Sequence, residues 1–216
     1  MARRATPLTR ENEARLSAAF GGSVAGIDEA GRGPWAGPVI AAAVILGTDF
    51  PEGLDDSKRL SAARREALFA MICDPASGMA VGIGTAESAE IDRVNILRAT
   101  DLAMARALSA LPLAPAVALV DGKRVPPGLG LPAEALVGGD GISPSIAAAS
   151  IVAKVTRDRI MVELAERHPG YGWERNKGYG TAEHRDALTR LGVTAHHRKS
   201  FRPISNKLDE ETSGTI

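Results

Sequence analysis

Disulfides, membrane spans and a charge imbalance are all missing from this chain of 216 residues. A single cysteine, Cys73, cannot close an internal disulfide, so a secreted disulfide scaffold is excluded, as are zinc sites built from paired cysteines. On a helix, Cys73 is expected to be a small buried hydrophobe. Uncharged apolar stretches such as Ala107 to Val120, broken by Pro112 and Pro115, fall short of the ~20 residues that a spanning helix needs. Met1-Ala-Arg-Arg is followed by polar residues rather than an apolar run, which is not the pattern of a secretory signal, and a cytoplasmic address is expected. Aromatic residues are scarce, with four Phe, two Trp and two Tyr, and 26 cations balance 26 anions. Zero net charge argues against a protein that coats nucleic acid by bulk electrostatics.

What is present is a foldable 44% of apolar residues, enough for one ordinary core at roughly 150 residues per domain. Apolar runs at Val24–Asp28, Val39–Leu46, Met79–Thr85, Ala116–Val120 and Ala135–Val137 predict five strands, the first three as an antiparallel meander. Helical spacing predicts helices at Ser61–Cys73, Glu90–Leu111 and Ser145–Arg167, with Ser61 as an N-cap and Pro144 near the start of the last. The expected class is α/β, a mixed five-stranded sheet flanked by helices. The expected division is an extension over 1–21, a core over 22–168, a basic helical segment over 169–207 and a frayed tail over 208–216. From Arg185 to Lys207 six cations face one anion, a local +5 whose ordinary meaning is a solvated helix face and whose functional meaning is a surface that tracks phosphates.

Carboxylates fall where strands are predicted to end: Asp28 and Glu29 after the first, Asp121 after the fourth, Asp140 after the fifth. One such acid is a turn residue. Three neighbouring strand ends that carry acids need something to neutralise them, and hard divalent cations with oxygen ligands serve that need. The favoured chemistry is hydrolysis of a phosphodiester by two Mg²⁺ or Mn²⁺ ions ~4 Å apart. Successive strand residues point to opposite faces, so Asp28 and Glu29 share one site only if the strand ends or twists there, which Gly31 and Gly33 make feasible. Gly31-Arg-Gly-Pro-Trp-Ala36 also fits a degenerate dinucleotide fingerprint, but Pro34 and Pro38 lead into another strand instead of the helix N-terminus that a pyrophosphate requires. His196 and His197 are adjacent and lack a third histidine at ligand spacing, so they do not form a metal site.

Ala25-Gly-Ile-Asp-Glu-Ala-Gly-Arg-Gly-Pro-Trp-Ala-Gly-Pro-Val39 resembles the opening signature of type 2 ribonuclease H, the bacterial ribonuclease HII family. Asp56-Ser-Lys-Arg-Leu-Ser61, Ile91-Asp-Arg-Val-Asn-Ile-Leu-Arg-Ala-Thr100, Leu119-Val-Asp-Gly-Lys123, Ser145-Ile-Ala-Ala-Ala-Ser-Ile-Val-Ala-Lys-Val-Thr-Arg-Asp158, Lys177-Gly-Tyr-Gly-Thr181 and His196-His-Arg-Lys-Ser-Phe201 follow in that family's order. The resemblance implies an RNase H-like fold and an endonuclease acting on RNA–DNA hybrids and on duplex DNA with a single embedded ribonucleotide. It further implies cleavage on the 5′ side of the ribonucleotide with 5′-phosphate and 3′-hydroxyl ends and two divalent ions; a monomer is expected, and the lack of a long apolar run leaves no membrane contact.

Position by position, the resemblance makes Asp28, Glu29, Asp121 and Asp140 the catalytic metal ligands, with Asp158 a rival for the fourth place that the flanking Arg157 and Arg159 make a plainer surface charge. Gly31, Arg32 and Gly33 match a turn that would meet the 2′-hydroxyl, the group that separates RNA from DNA. Lys58 and Lys177 match positions that face phosphates. Tyr171 matches the tyrosine that packs on the sugar, with Tyr179 the weaker candidate. Two departures stand out: Gly139 where a Lys often precedes the fourth acid, and Asn176 where a His is common. A hybrid binder without turnover would not need all four acids, and a resolvase-like nuclease of the same fold would lack the Gly-Arg-Gly turn.

Overall fold

The computed structural model describes residues 8–213. Its centre is one five-stranded sheet in the order β3-β2-β1-β4-β5, formed by β1 (Val24–Ala30), β2 (Val39–Ile45), β3 (Ala80–Ala86), β4 (Val117–Asp121) and β5 (Ala133–Leu136). β1, β2 and β3 form the expected antiparallel meander, whereas β4 joins β1 in parallel after the crossover helix α3 (Ser88–Ser109), and β5 joins β4 in parallel. The uninterrupted apolar run of β2 has its cause here. Ile40, Ala42 and Val44 pack under α4 (Pro144–Arg167) and α2 (Ala62–Cys73), while Val39, Ala41, Ala43 and Ile45 pack under α3, so neither face of the strand meets water.

Capping sets the helix starts. Ser61 accepts from Arg64 N in α2, and Ser143 accepts from Ile146 N in α4 with Pro144 in the first turn. α4 runs so close to β1 that a Cβ on Gly26 would stand 2.2 Å from the Ser145 carbonyl carbon. Beyond α4 the chain adds α5 (Trp173–Asn176), α6 (Ala182–Leu191) and α7 (Arg202–Ser213), which bury Tyr171, Trp173, Leu188 and Ile204 against Met161 and Leu164 in the second half of α4.

Several expectations differ from the structure. α3 is two helices joined at Asn95, whose φ of 65° breaks the spiral and whose Oδ1 accepts from Leu97 N and Arg98 N to start the second piece. The extension over 1–21 contains α1 (Glu11–Phe20), closed by Gly21 in the left-handed region; residues 1–7 lie outside the described residues. The tail expected from 208 onward is helical through Ser213, and 214–216 lie outside the described residues. Cys73 is exposed at the last position of α2 rather than buried, because the core-facing stripe of that helix is Leu68 and Ile72. No helix among the described residues is long and apolar enough to cross a membrane.

Candidate active site

β1 overshoots its parallel neighbour: the last rung pairs Ile27 with Val120, which leaves Asp28 and Glu29 beyond the ladder and Asp121 at the matching end of β4. Asp140 arrives from the short 3₁₀ turn Gly139–Gly141 before α4. One carboxylate oxygen from each of Asp28, Asp121 and Asp140 lies within 4.8 Å of the other two. Backbone amides orient two of them: Glu29 N donates to Asp28 Oδ1 (2.7 Å) and Gly139 N to Asp121 Oδ1 (2.7 Å). Asp28 is buried, and burial first, then the charges of Glu29 and Asp121, push its carboxyl well above the usual range. Burial also raises Asp140, with Asp56 and Asp121 adding to it, and raises Glu29 against the pull of Arg32. Four acids here outnumber the two nearby cations, Arg32 and Lys58, and an all-oxygen donor set is what Mg²⁺ or Mn²⁺ prefers. The residues therefore fit a divalent ion.

Glu29 faces Arg32 (Nη1 to Oε1, 3.3 Å), and Lys58 Nζ stands 3.7 Å from Asp140 Oδ2. Burial opposes the Lys58 charge, but Asp56, Asp140, Asp28 and Asp121 together raise its pKa. Glu29, Arg32 and Lys58 line an open cleft of about 440 Å³ together with Asp28, Asp121, the Gly31–Gly33 turn and Tyr179, and Asp140 adjoins it beside Lys58 and Asp121. Sequence reasoning missed Ser57 and Ser150, both buried, with Ser150 Oγ donating to Ser57 Oγ at 2.8 Å beside Asp28 in the cleft; the Asp56-Ser-Lys58 and Ala149-Ser-Ile151 stretches held that signal.

The two tyrosines are placed the other way round from expectation. Tyr171 is 4% exposed, stacks on Trp173 at 4.9 Å between ring centres and donates its hydroxyl to Gly192 O (2.9 Å), so it is a core aromatic turned away from the cleft. Tyr179 is 48% exposed and lines the cleft, its ring edge 3.5 Å from where a Cβ on Gly33 would be. Lys177 is also off the cleft. It lines a separate groove with Asp158 and Arg159, and its Nζ donates to Glu174 O. Asp158 is paired with Lys154 (2.7 Å), not with the acidic cluster. Asn176 donates to Tyr171 O and accepts from Gly178 N, both at 2.8 Å, bracing the loop that carries Tyr179.

The basic C-terminal segment contains a cation that never reaches the surface. Arg198 is fully buried, and its guanidinium donates to the carbonyls of Gly31, Arg32, Gly37 and Pro38. Arg157 does the same for Ala36, Pro38 and Lys177. Together they pin the turn that forms the cleft wall. Gly31 has φ +99°, and a Cβ there would sit 2.0 Å from Arg157 Nε, so this position is closed to other residues.

A buried histidine pair fixes the Tyr179 loop from below. Thr194 N donates to His197 Nδ1 (2.9 Å), so His197 carries its proton on Nε2 and donates it to His184 Nε2 (3.0 Å); His184 Nδ1 then donates to Tyr179 O (3.0 Å). A further proton on either ring would face a donor. Burial, and then the charges of His184 and His196, hold His197 down to about 3. Since the unfolded chain takes up this proton near the ordinary 6.5 while the folded one does not, stability falls as pH drops below about 6.5, by up to ~1.4 kcal/mol per pH unit for one proton. The carboxyls with raised pKa act in the opposite sense as pH falls through their raised values, so the histidine's share is read as a difference. Denaturant midpoints between pH 7 and 5 are expected to fall more steeply for the parent than for His197→Gln; equal slopes would contradict the neutral pair.

The ribonuclease HII family model matches residues 25–204. The chain is 58% identical over 200 residues to the ribonuclease HII of Ruegeria pomeroyi, covering 92% of this chain and 84% of that one. It is 59% identical over 199 residues to that of Rhodospirillum rubrum, covering 89% and 90%. Among solved structures, the ribonuclease H2 from Pyrococcus horikoshii superposes with a TM-score of 0.72 at 26% identity, over 87% of this chain and 98% of that one. With acids gathered at the strand ends that the fold provides and relatives matched over nearly the whole length, this chain belongs to the ribonuclease HII family and is a ribonuclease H enzyme.

Proposed function

We propose that this ribonuclease H, besides cutting the RNA strand of RNA–DNA hybrids, nicks duplex DNA on the 5′ side of a single embedded ribonucleotide and leaves 5′-phosphate and 3′-hydroxyl ends. Removal of primers and excision of misincorporated ribonucleotides in the cytoplasm are the corresponding tasks, carried out by a monomer. The observation that carries this reading is three converging carboxylates, two of which, Asp28 and Asp121, line one cleft with the Gly31–Gly33 turn and the exposed Tyr179 ring.

Asp28, Glu29, Asp121 and Asp140 would hold two Mg²⁺ or Mn²⁺ ions. Bound there, such ions supply a nucleophile at neutral pH and charge stabilisation for the leaving oxygen. The protein's own groups do the selection. The turn brings backbone atoms near enough to bond a 2′-hydroxyl, a group that DNA lacks. Lys58, exposed at the cleft rim, faces a phosphate as a point charge. Tyr179 offers a flat apolar face to the neighbouring sugar.

The deciding assay incubates duplex DNA carrying one ribonucleotide with enzyme and Mg²⁺ or Mn²⁺. A single nick 5′ to the ribonucleotide is expected; no nick, or an equally fast one in all-DNA duplex, rejects the reading. The tyrosines are separable in the same assay. Tyr179→Ala is expected to lower cleavage at the isolated ribonucleotide by about 10–100-fold, in line with the ~1–3 kcal/mol that an aromatic platform contributes. Tyr171→Phe is expected to cost about 1 kcal/mol of stability and to leave cleavage unchanged. The reverse pattern would return the role to Tyr171.

A further inference from the structure

Glu13 is the acid that the proposed mechanism does not use and that the fold nevertheless buries. It sits in the first turn of α1, 9% exposed, on a different element from those that carry the clustered acids. Its Oε1 accepts from Ser143 Oγ (2.5 Å), Ser145 Oγ (2.7 Å) and Ser145 N (3.1 Å). Its Oε2 is buried without a hydrogen-bond partner. A buried carboxylate with one unsatisfied oxygen is costly, and an apolar residue could fill the same volume without that cost. The three donors share one address: all belong to the start of α4, where Glu13 also satisfies an amide that the helix leaves unpaired and meets the positive end of the helix dipole.

That address is coupled to the acids. Ser143 N and Ile142 N both donate to Gly139 O, closing a tight loop over 139–143, and Gly139 N donates to Asp121 Oδ1. Asp140 rides on the loop. On the other side, the near contact of Gly26 with Ser145 blocks movement of α4 toward β1. The start of α4 is thus held between β1 and the Glu13 carboxylate, and its position decides where two carboxylates stand.

We propose that Glu13 is a positioning residue for the acidic centre: from α1 it fixes the start of α4 and, through the 139–143 loop, the carboxylates of Asp140 and Asp121. The inference rests on the metal-site reading of those carboxylates, and the experiment keeps the two apart. Mn²⁺ is titrated by calorimetry into the purified full chain without nucleic acid, for the parent, Glu13→Ala, Glu13→Gln, Ser145→Ala and Asp140→Asn. Glu13→Ala is expected to weaken Mn²⁺ binding by about tenfold, the size seen when groups that orient metal ligands are removed, with hybrid binding in the absence of metal unchanged. Glu13→Gln keeps an acceptor oxygen for the serines and is expected to recover part of that loss. In cleavage assays the Mn²⁺ concentration for half-maximal rate shifts in the same order while KM for the hybrid stays constant. Glu13→Ala with parental Mn²⁺ affinity, alongside a weakened Asp140→Asn, would overturn the positioning role and leave the metal site standing. Unchanged affinity in Asp140→Asn would remove the metal reading and this inference with it. If Glu13→Ala does not fold, Ser145→Ala decides: a rise of about twofold or more in the Mn²⁺ dissociation constant supports the link, and none refutes it.

Discussion

Asp28→Asn is expected to lower turnover by about 10³-fold or more while raising the melting temperature of the metal-free protein. Both results have one cause. Asp28 is buried, its carboxyl is raised by desolvation and by the charges of Glu29 and Asp121, and the asparagine amide keeps both the volume and an acceptor for Glu29 N. Shape is retained and charge is lost. In the proposed reading, the cluster without that charge would no longer hold a divalent ion in the geometry an in-line displacement needs, and electrostatic contributions of this kind are among the largest that a single side chain makes to a rate. The same substitution relieves a like-charge repulsion among carboxylates. Each kcal/mol gained raises the melting temperature by about 2–4 °C in a chain of this size. Cleavage of a hybrid and a thermal melt in chelator check both halves, with hybrid binding expected within a few-fold of the parent. An active asparagine variant would move the metal site elsewhere, and an active site that is not under charge strain would show no rise in melting temperature.

The acidic cluster was legible in the sequence because its determinants are local. Short apolar runs that end in acids place those acids where the parallel ladder of β1 with β4 stops, although β1 itself runs on through Asp28 and Glu29 to Ala30 along β2. The tyrosine choice shows where such locality stops. Tyr171 and Tyr179 stand in the same Gly-Tyr-Gly setting, so their neighbours in sequence do not separate them. What does is packing over long separations: Trp173 and the Gly192 carbonyl capture Tyr171, while His184 holds only the backbone of Tyr179 and leaves its ring free for the cleft. The break at Asn95 was hidden because apolar spacing continues across it and only the side-chain cap reveals the restart. α1 escaped notice because it buries just Glu13 and Leu16, too few for a periodic signal. Arg198 looked like one more surface cation in a basic run, since burial against carbonyls leaves no periodicity.

Arg198→Met is expected to cost about 3 kcal/mol, a loss of about 6–12 °C in melting temperature, and to reduce cleavage of a hybrid at least about tenfold at temperatures where the variant is folded. Two opposing effects decide the sign. Burial makes the guanidinium expensive, enough to hold its pKa down to about 9, and among the described residues no salt bridge offsets it. Against that stand four charge-assisted bonds, at 2.5–3.1 Å, to carbonyls of Gly31, Arg32, Gly37 and Pro38, supported by the Phe201 ring 5.1 Å away. A methionine fills most of the volume but leaves the buried Gly37 carbonyl and the half-buried Gly31 and Arg32 carbonyls without this donor, Pro38 O keeping Arg157 Nε, at roughly 1–3 kcal/mol for a buried acceptor before the loop relaxes, so the bonds outweigh the cost of burial. The loss of activity follows from the loop's position, because the freed carbonyls belong to the turn that forms the cleft wall beside Glu29, and displacements of about 1 Å at a reacting centre cost ~10² in rate. Arg198→Lys sharpens the result: one ammonium reaches fewer of the four carbonyls than the planar fork, so it should recover less than half of the stability. A methionine variant as stable as the parent would mean that burying the charge costs as much as its four bonds return, and that Arg198 is kept for the shape of the turn alone.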